Sequence, residues 1–127
     1  MSTPSASARA TRAAVFDLVS VLVFVLIGRG SHGETVDPAG VLSTAWPFLA
    51  GLALGWVVSL AWRRPYGVLR PGVIVWASTV VIGMLLRFVT GVGAETSFII
   101  VTATVLAVLI LGWRGVAALR ARRRVAS

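Results

Sequence analysis

The stretch PGVIVWASTVVIGMLLR, residues 71–87, decides the fold of this chain, because it is apolar over nearly its whole length yet ends in a guanidinium. As a helix rising about 1.5 Å per residue, it would extend roughly 25 Å, close to the hydrocarbon thickness of a bilayer. Three other apolar stretches of similar length accompany it. The sequence therefore predicts an all-α protein, a four-helix transmembrane bundle, with helices at residues 13–28, 44–62, 71–88 and 96–113.

The composition supports a membrane protein. Of the 127 residues, 57% are hydrophobic, and the mean hydropathy is +0.93. A soluble domain of this size could not bury so much apolar surface, whereas lipid can cover it. With no Cys and one His, the chain offers no disulfide, thiol catalysis or metal-ligand cluster, so we expect neither a metal nor another cofactor.

The chain divides into three regions. Residues 1–12 are small and polar and are predicted to be a disordered cytoplasmic tail, residues 13–114 form the membrane domain, and residues 115–127 form a basic cytoplasmic tail. A signal peptide is not predicted, because Asp17 interrupts the first apolar run and no A-x-A cleavage site follows Ile27. The first run is therefore interpreted as an uncleaved helix.

Small residues predict where the helices touch. Gly51, Gly55 and Ser59 recur every fourth residue on the second helix, which favours a packing face within the bundle over a dimer contact. Pro47 is placed in the first turn of that helix, and tryptophans near both its ends suggest an interfacial belt. The third helix gathers its small and polar residues on one face, which should point inward: Gly72, Trp76, Thr79, Gly83 and Arg87.

Charge predicts the orientation. All 12 basic residues are Arg, and ten of them lie on one side, in the two tails, in the second loop and at Arg114 beside the C-terminal tail, against Arg29 and Arg87 on the opposite side. By the positive-inside rule, both termini should face the cytoplasm. The small multidrug exporters and the fluoride channels insert in both orientations, which needs nearly balanced charges, so this bias separates the chain from them. Because the charges flank apolar helices, nucleic-acid binding is not predicted.

Asp17 is the charge that most needs explaining, because it lies about one turn inside the predicted cytoplasmic boundary, where ionised groups are costly. A structural ion pair with Arg12, Arg63, Arg64 or Arg114 is one interpretation. A protonatable transport site and a shallow side chain that reaches water are the others. At the outer boundary, Arg87 either snorkels to the headgroups or joins a polar pocket whose other predicted members are Arg29, His32 and Glu95.

Five arginines at the C-terminal end are predicted to contact anionic lipid headgroups, each contributing on the order of 1 kcal/mol near the surface. They are Arg114, Arg120, Arg122, Arg123 and Arg124.

Several short motifs together resemble a family. They include GRGSHG at residues 28–33, WPF at residues 46–48, GMLLR at residues 83–87, SFI at residues 97–99 and GWR at residues 112–114. Over residues 13 to 119 the chain is similar to small bacterial membrane proteins classified as domain of unknown function three-zero-five-four. The resemblance implies a four-helix protein of the bacterial cytoplasmic membrane and implies no activity, substrate or site residue.

No catalytic pairing or phosphate-binding loop is present in the sequence, so an enzyme is not predicted. We expect a non-enzymatic accessory or scaffold subunit that contacts the bilayer and a membrane protein partner, whereas a homo-oligomer made of further copies of this chain alone would favour the alternative. The alternative is an oligomeric transporter or channel for a small solute or ion, using Asp17 at the inner side and Arg87 at the outer. An enzyme acting on lipid headgroups, with His32 as its base, ranks below both.

Overall fold

The computed structural model describes residues 4–31 and 33–126, and it is helical almost throughout. The helices are α1 (Ala6–Ser31), α2 (Pro38–Ser59), α3 (Ile74–Val89), α4 (Thr96–Leu106) and α5 (Gly112–Ala126). A π-helical turn, Ala107–Leu111, joins α4 to α5, and we call this continuous helix the fourth span. The described residues contain no strand, and they form four helical stretches long and apolar enough to cross a bilayer. The all-α, four-helix prediction is confirmed.

Both terminal helices are longer than predicted. The hydroxyl of Ser5 accepts a hydrogen bond from the Ala8 backbone N–H at 3.1 Å, which caps α1 ahead of an alanine-rich first turn. The prediction of disorder is therefore wrong for residues 6–12, while residues 1–3 lie outside the described residues. At the other end, helix continues through the basic tail to Ala126.

The second helix begins and ends earlier in the chain than predicted. Pro38 occupies its first turn, where a missing N–H is harmless, so Pro47 lies inside the helix instead of near its start. Leu60 adopts a left-handed conformation with φ of 54°, which ends α2 at Ser59. Trp62 therefore belongs to a separate 3₁₀ turn, Ala61–Arg63. The regular part of the third helix begins at Ile74, because Arg70 in the preceding turn has extended backbone angles.

The four spans form a closed ring in which each packs against the next and the fourth span returns to α1. Short connections make neighbouring spans antiparallel. The buried interior is apolar over most of its length and includes Val21, Val25, Phe48, Val75, Leu106 and Ile110. Phe24, Phe48 and Phe98 meet in a three-ring cluster contributed by α1, α2 and α4.

The closest approach is between α2 and α3. A Cβ added to Gly51 would lie 2.7 Å from the Ser78 carbonyl oxygen, so α3 backbone occupies that space. The Ser78 hydroxyl donates a hydrogen bond to the Gly51 carbonyl at 2.7 Å across this contact. Gly83 in turn faces the ring of Phe48. Both predictions about small residues are confirmed: Gly51 and Gly55 form a packing face, and the small face of α3 points inward.

We predict that Gly51→Ala destabilises the protein, because the added methyl group meets helix backbone that cannot move aside locally. Overpacking of this kind costs typically 1–3 kcal/mol. Gly28→Ala is the matched control, since it makes the same change in a helix at a position with open space around it. Thermal unfolding in detergent should show a lower midpoint for Gly51→Ala only, and equal midpoints for the two variants would contradict the close packing.

Candidate functional site

The carboxylate of Asp17 lies in the bundle, fully buried, and receives four hydrogen bonds. Its Oδ1 accepts from Trp113 Nε1 at 2.9 Å and from Arg114 at 2.8 Å. Its Oδ2 accepts from Trp56 Nε1 at 2.8 Å and from the other terminal nitrogen of Arg114 at 2.8 Å. A carboxylate has about four acceptor sites on its two oxygens, so these donors occupy its hydrogen-bonding capacity.

The guanidinium of Arg114 is also fully buried and also makes bonds beyond Asp17. Its Nε donates to the Pro65 carbonyl at 3.0 Å, and one terminal nitrogen donates to the Ile110 carbonyl at 3.2 Å. The bidentate pair with Asp17 therefore joins α1 to the fourth span, while Pro65 ties in the loop between α2 and α3. Trp56 adds α2 to the same network. One cluster thus connects α1, α2, the loop after α2 and the fourth span at the arginine-rich end of the bundle, the end with Arg9 and Arg63.

Aromatic rings cover this charge cluster. Trp113 stacks on Phe16 with ring centroids 5.0 Å apart, and Tyr66 meets Trp113 edge-on at 5.5 Å. The guanidinium of Arg9 lies over the Tyr66 ring at 5.0 Å from its centroid, an arrangement in which a cation favours the ring face. These rings place apolar surface over the ion pair, which keeps it apart from the aqueous phase.

The chemistry available to such a closed site is limited. Removing one member of a buried ion pair typically costs 3–5 kcal/mol, because the remaining charge is left without a partner. Asp17 has no vacant acceptor position and no exposure, so a proton or solute would have to break the pair before reaching it. The predicted structural ion pair is confirmed with Arg114 as its partner. The prediction that Arg114 contacts lipid headgroups is wrong, because burial against Asp17 takes its side chain away from the surface.

At the opposite end, Arg29 organises the loop between α1 and α2. It forms an ion pair with Glu34 at 3.2 Å and donates to the Thr35 carbonyl at 2.7 Å and to the Thr44 hydroxyl at 2.9 Å. The side chain of Arg29 retains 13% of its exposure, against 55% for Glu34. Arg29 is therefore occupied by its own loop, and its charge is balanced within the chain.

Arg87 folds back onto the loop that follows α3. Its Nε donates to the Gly93 carbonyl at 3.1 Å, and its guanidinium lies 4.4 Å from the centroid of the Phe98 ring. The described residues give no hydrogen bond from Arg87 to Arg29's partners or to Glu95, which is exposed at the start of α4. Arg29 and Arg87 thus have different hydrogen-bond partners, and the predicted pocket member His32 lies outside the described residues.

The predicted headgroup contacts beyond Arg114 are on the outside of α5. The side chains of Arg120, Arg122, Arg123 and Arg124 are all exposed. Their contact with lipid stays a prediction. No group of three or more His, Cys, Asp or Glu that could hold a metal ion occurs among residues 4–31 and 33–126.

Sequence reasoning missed Trp56 and Trp113 as members of the site. Trp56 lies well inside the belt set by Trp46 and Trp62, and an indole N–H at that depth needs an acceptor. Asp17 was the only acidic side chain available within the apolar helices. The signal that could have indicated the Trp56–Asp17 hydrogen bond was thus the presence of one indole and one carboxylate within the apolar helices, each needing a polar partner.

The fold and the buried charge cluster define a small all-α protein of the multi-pass membrane type, with four apolar helical spans. A family model described as a protein of unknown function, DUF3054, matches residues 14–117. The chain belongs to this family, as the sequence motifs indicated. Comparison with curated proteins and with solved structures gives no match.

We predict that Asp17→Asn and Arg114→Gln each destabilise the protein by about 3–5 kcal/mol, because each leaves a buried group without its charged partner. The double variant should lose less than the sum of the two single losses, since it removes both charges together. Thermal unfolding in detergent measures this cycle, with the exposed Arg63→Gln as the control. Additive losses would contradict a direct interaction between the two side chains.

Proposed function

We propose that this protein is a non-enzymatic accessory or scaffold subunit of the bacterial cytoplasmic membrane. The observation that carries the proposal is that Asp17, the acidic residue within the spans, is fully buried and has all its acceptor positions filled. Four donors fill its acceptor positions, and the aromatic rings cover it. A charge held in this way stabilises one arrangement of helices, which is what a subunit with a fixed binding surface requires.

The same observation weighs against the transporter alternative. Transport coupled to Asp17 needs the carboxylate to exchange a proton or an ion with a water-filled path, and so to be reachable from one side. The ion pair, its two indole donors and the absence of exposure all oppose that exchange. An enzymatic role has no support from the chain's chemistry either, since the sequence contains no nucleophile with a neighbouring base.

The fourth span offers the surface best suited to a protein partner. In the most apolar 18-residue segment of the fourth span, only 17% is buried inside the protein, compared with 33% in the corresponding segment of each other span. Its outward face carries the exposed residues Ile100, Val101, Thr104 and Val108. The Thr104 hydroxyl is bonded to the Ile100 carbonyl, so this face presents no unsatisfied polar group to a neighbouring helix. A partner helix packing here would complete the burial that the other spans obtain within the bundle.

The proposed orientation follows from the arginine distribution. The arginine-rich end carries ten arginines in the sequence and the opposite end two, so the positive-inside rule supports cytoplasmic termini. The exposed arginines of α5 would then lie near the anionic headgroups of the inner leaflet, each attracted by on the order of 1 kcal/mol.

We predict that a photo-activated cross-linking residue at Val108 or Val101 captures one membrane protein in cells, because these side chains point away from the bundle. Cross-linkers at Val81 on α3 and Val58 on α2, which are 61% and 64% exposed, serve as surface controls. Mass spectrometry of the products identifies the captured chain. Specific capture from the fourth span, and not from the control positions, is the expected result.

Two outcomes would contradict the accessory role. One is capture of further copies of this chain alone, in a symmetric oligomer. The other is ion or solute flux in liposomes containing the purified protein, lost in a folded Asp17→Asn variant. Both together would establish the transporter alternative.

A further inference from the structure

An open apolar groove runs between α1 and α2 on the outside of the bundle. It is lined by Ala14, Leu18, Leu49, Leu52, Ala53 and Trp56. From Trp56 to Leu49 along α2 the groove extends about 10 Å by helical rise. Small side chains, Ala14 and Ala53, make the depression, while Trp56 and the leucines form its walls. Because the lining is apolar, the acyl chain of a lipid is an occupant of matching chemistry.

The lining residue of α2 nearest the arginine-rich end is Trp56, about one turn before α2 ends at Ser59, and the 3₁₀ turn Ala61–Arg63 follows after Leu60. This turn contacts both α1 and α2, the two helices that form the groove. Ala61 is fully buried there, whereas Arg63 and Arg64 are exposed. The Pro65 carbonyl is held by Arg114 at 3.0 Å, which fixes the chain immediately after the two arginines. The fold therefore holds both arginines just beyond the end of α2, the helix that forms one wall of the groove.

Arg63 and Arg64 have no acidic side chain of their own to pair with. The chain contains four acidic residues in all, and Asp17 is the one among them at the arginine-rich end. Its oxygens are occupied by Arg114 and two indoles. The described residues give neither Arg63 nor Arg64 an ion pair. An anion from outside the chain can therefore contact them without displacing an acidic side chain of the protein.

We propose that the α1–α2 groove is a specific binding site for one anionic phospholipid. An acyl chain lies along Ala14, Ala53 and Trp56, and the phosphate contacts Arg63 and Arg64. Arg binds phosphate through paired N–H groups, which suits this headgroup contact. The exposed Trp62 lies in the same turn, at the depth where an interfacial tryptophan meets the headgroup region. This site is separate from the α5 arginines and does not depend on the accessory role.

Native mass spectrometry of the purified protein, titrated with phosphatidylglycerol or phosphatidylethanolamine, tests the site. The wild-type protein should bind one phosphatidylglycerol in preference to phosphatidylethanolamine. Replacing both Arg63 and Arg64 by Gln removes two contacts of about 1 kcal/mol each, so Kd should rise roughly 30-fold. Arg122→Gln with Arg123→Gln is the matched control, because it removes the same charge from exposed positions on α5.

The acyl-chain contact needs its own variant. Ala53→Phe fills the groove from an exposed position and should abolish the single bound lipid, while Ala50→Phe makes the same change at an exposed position of α2 that does not line the groove. Circular dichroism confirms that each variant folds. The proposal is overturned if Ala53→Phe binds as the wild-type does, if both arginine pairs weaken binding equally, or if the two lipids bind alike.

Discussion

The buried ion pair between Asp17 and Arg114 is the interaction on which the rest of this structure depends. Neither charge could be buried without the other, because moving each of them out of water costs several kcal/mol. Together, with bidentate geometry and two indole donors, they satisfy each other within the bundle. The two residues are far apart in the chain, so the pair closes the ring of helices by fixing the first span to the last. Trp56 extends this constraint to α2, and Pro65 extends it to the loop between α2 and α3.

The two ends of the bundle handle charge differently. At the arginine-rich end, one ion pair is sealed inside, and the remaining arginines are left facing outward. At the other end, Arg29 and Arg87 are held by loop carbonyls, a hydroxyl, one acid and an aromatic ring. This asymmetry concentrates exposed arginines, Arg63 and Arg64 among them, at one end. Both the proposed orientation and the proposed lipid site follow from that imbalance.

Much of the fold could be predicted because hydropathy, small-residue spacing and turn residues act locally. The four apolar stretches predicted the four helices, and the small residues predicted that the Gly51 face packs within the bundle and that the Gly83 face points inward. The ends of the helices were harder to predict, because the capping by Ser5 and the left-handed conformation of Leu60 depend on backbone geometry that composition does not reveal. The partner of Asp17 could be narrowed to four arginines, but choosing Arg114 required knowing which helix faces meet. The two tryptophan donors needed the same three-dimensional information.

The most direct measurement is nuclear magnetic resonance of the indole N–H groups in protein labelled with ¹⁵N-tryptophan. The chain has five tryptophans, and three of them, Trp56, Trp76 and Trp113, donate hydrogen bonds in the structure. Those three should be protected from hydrogen exchange, and Asp17→Asn should shift the signals of Trp56 and Trp113 while leaving Trp76, bonded to the Ala103 carbonyl, unchanged. If Trp56 and Trp113 exchange as fast as the exposed Trp46 and Trp62, or do not respond to Asp17→Asn, the buried charge cluster is not present.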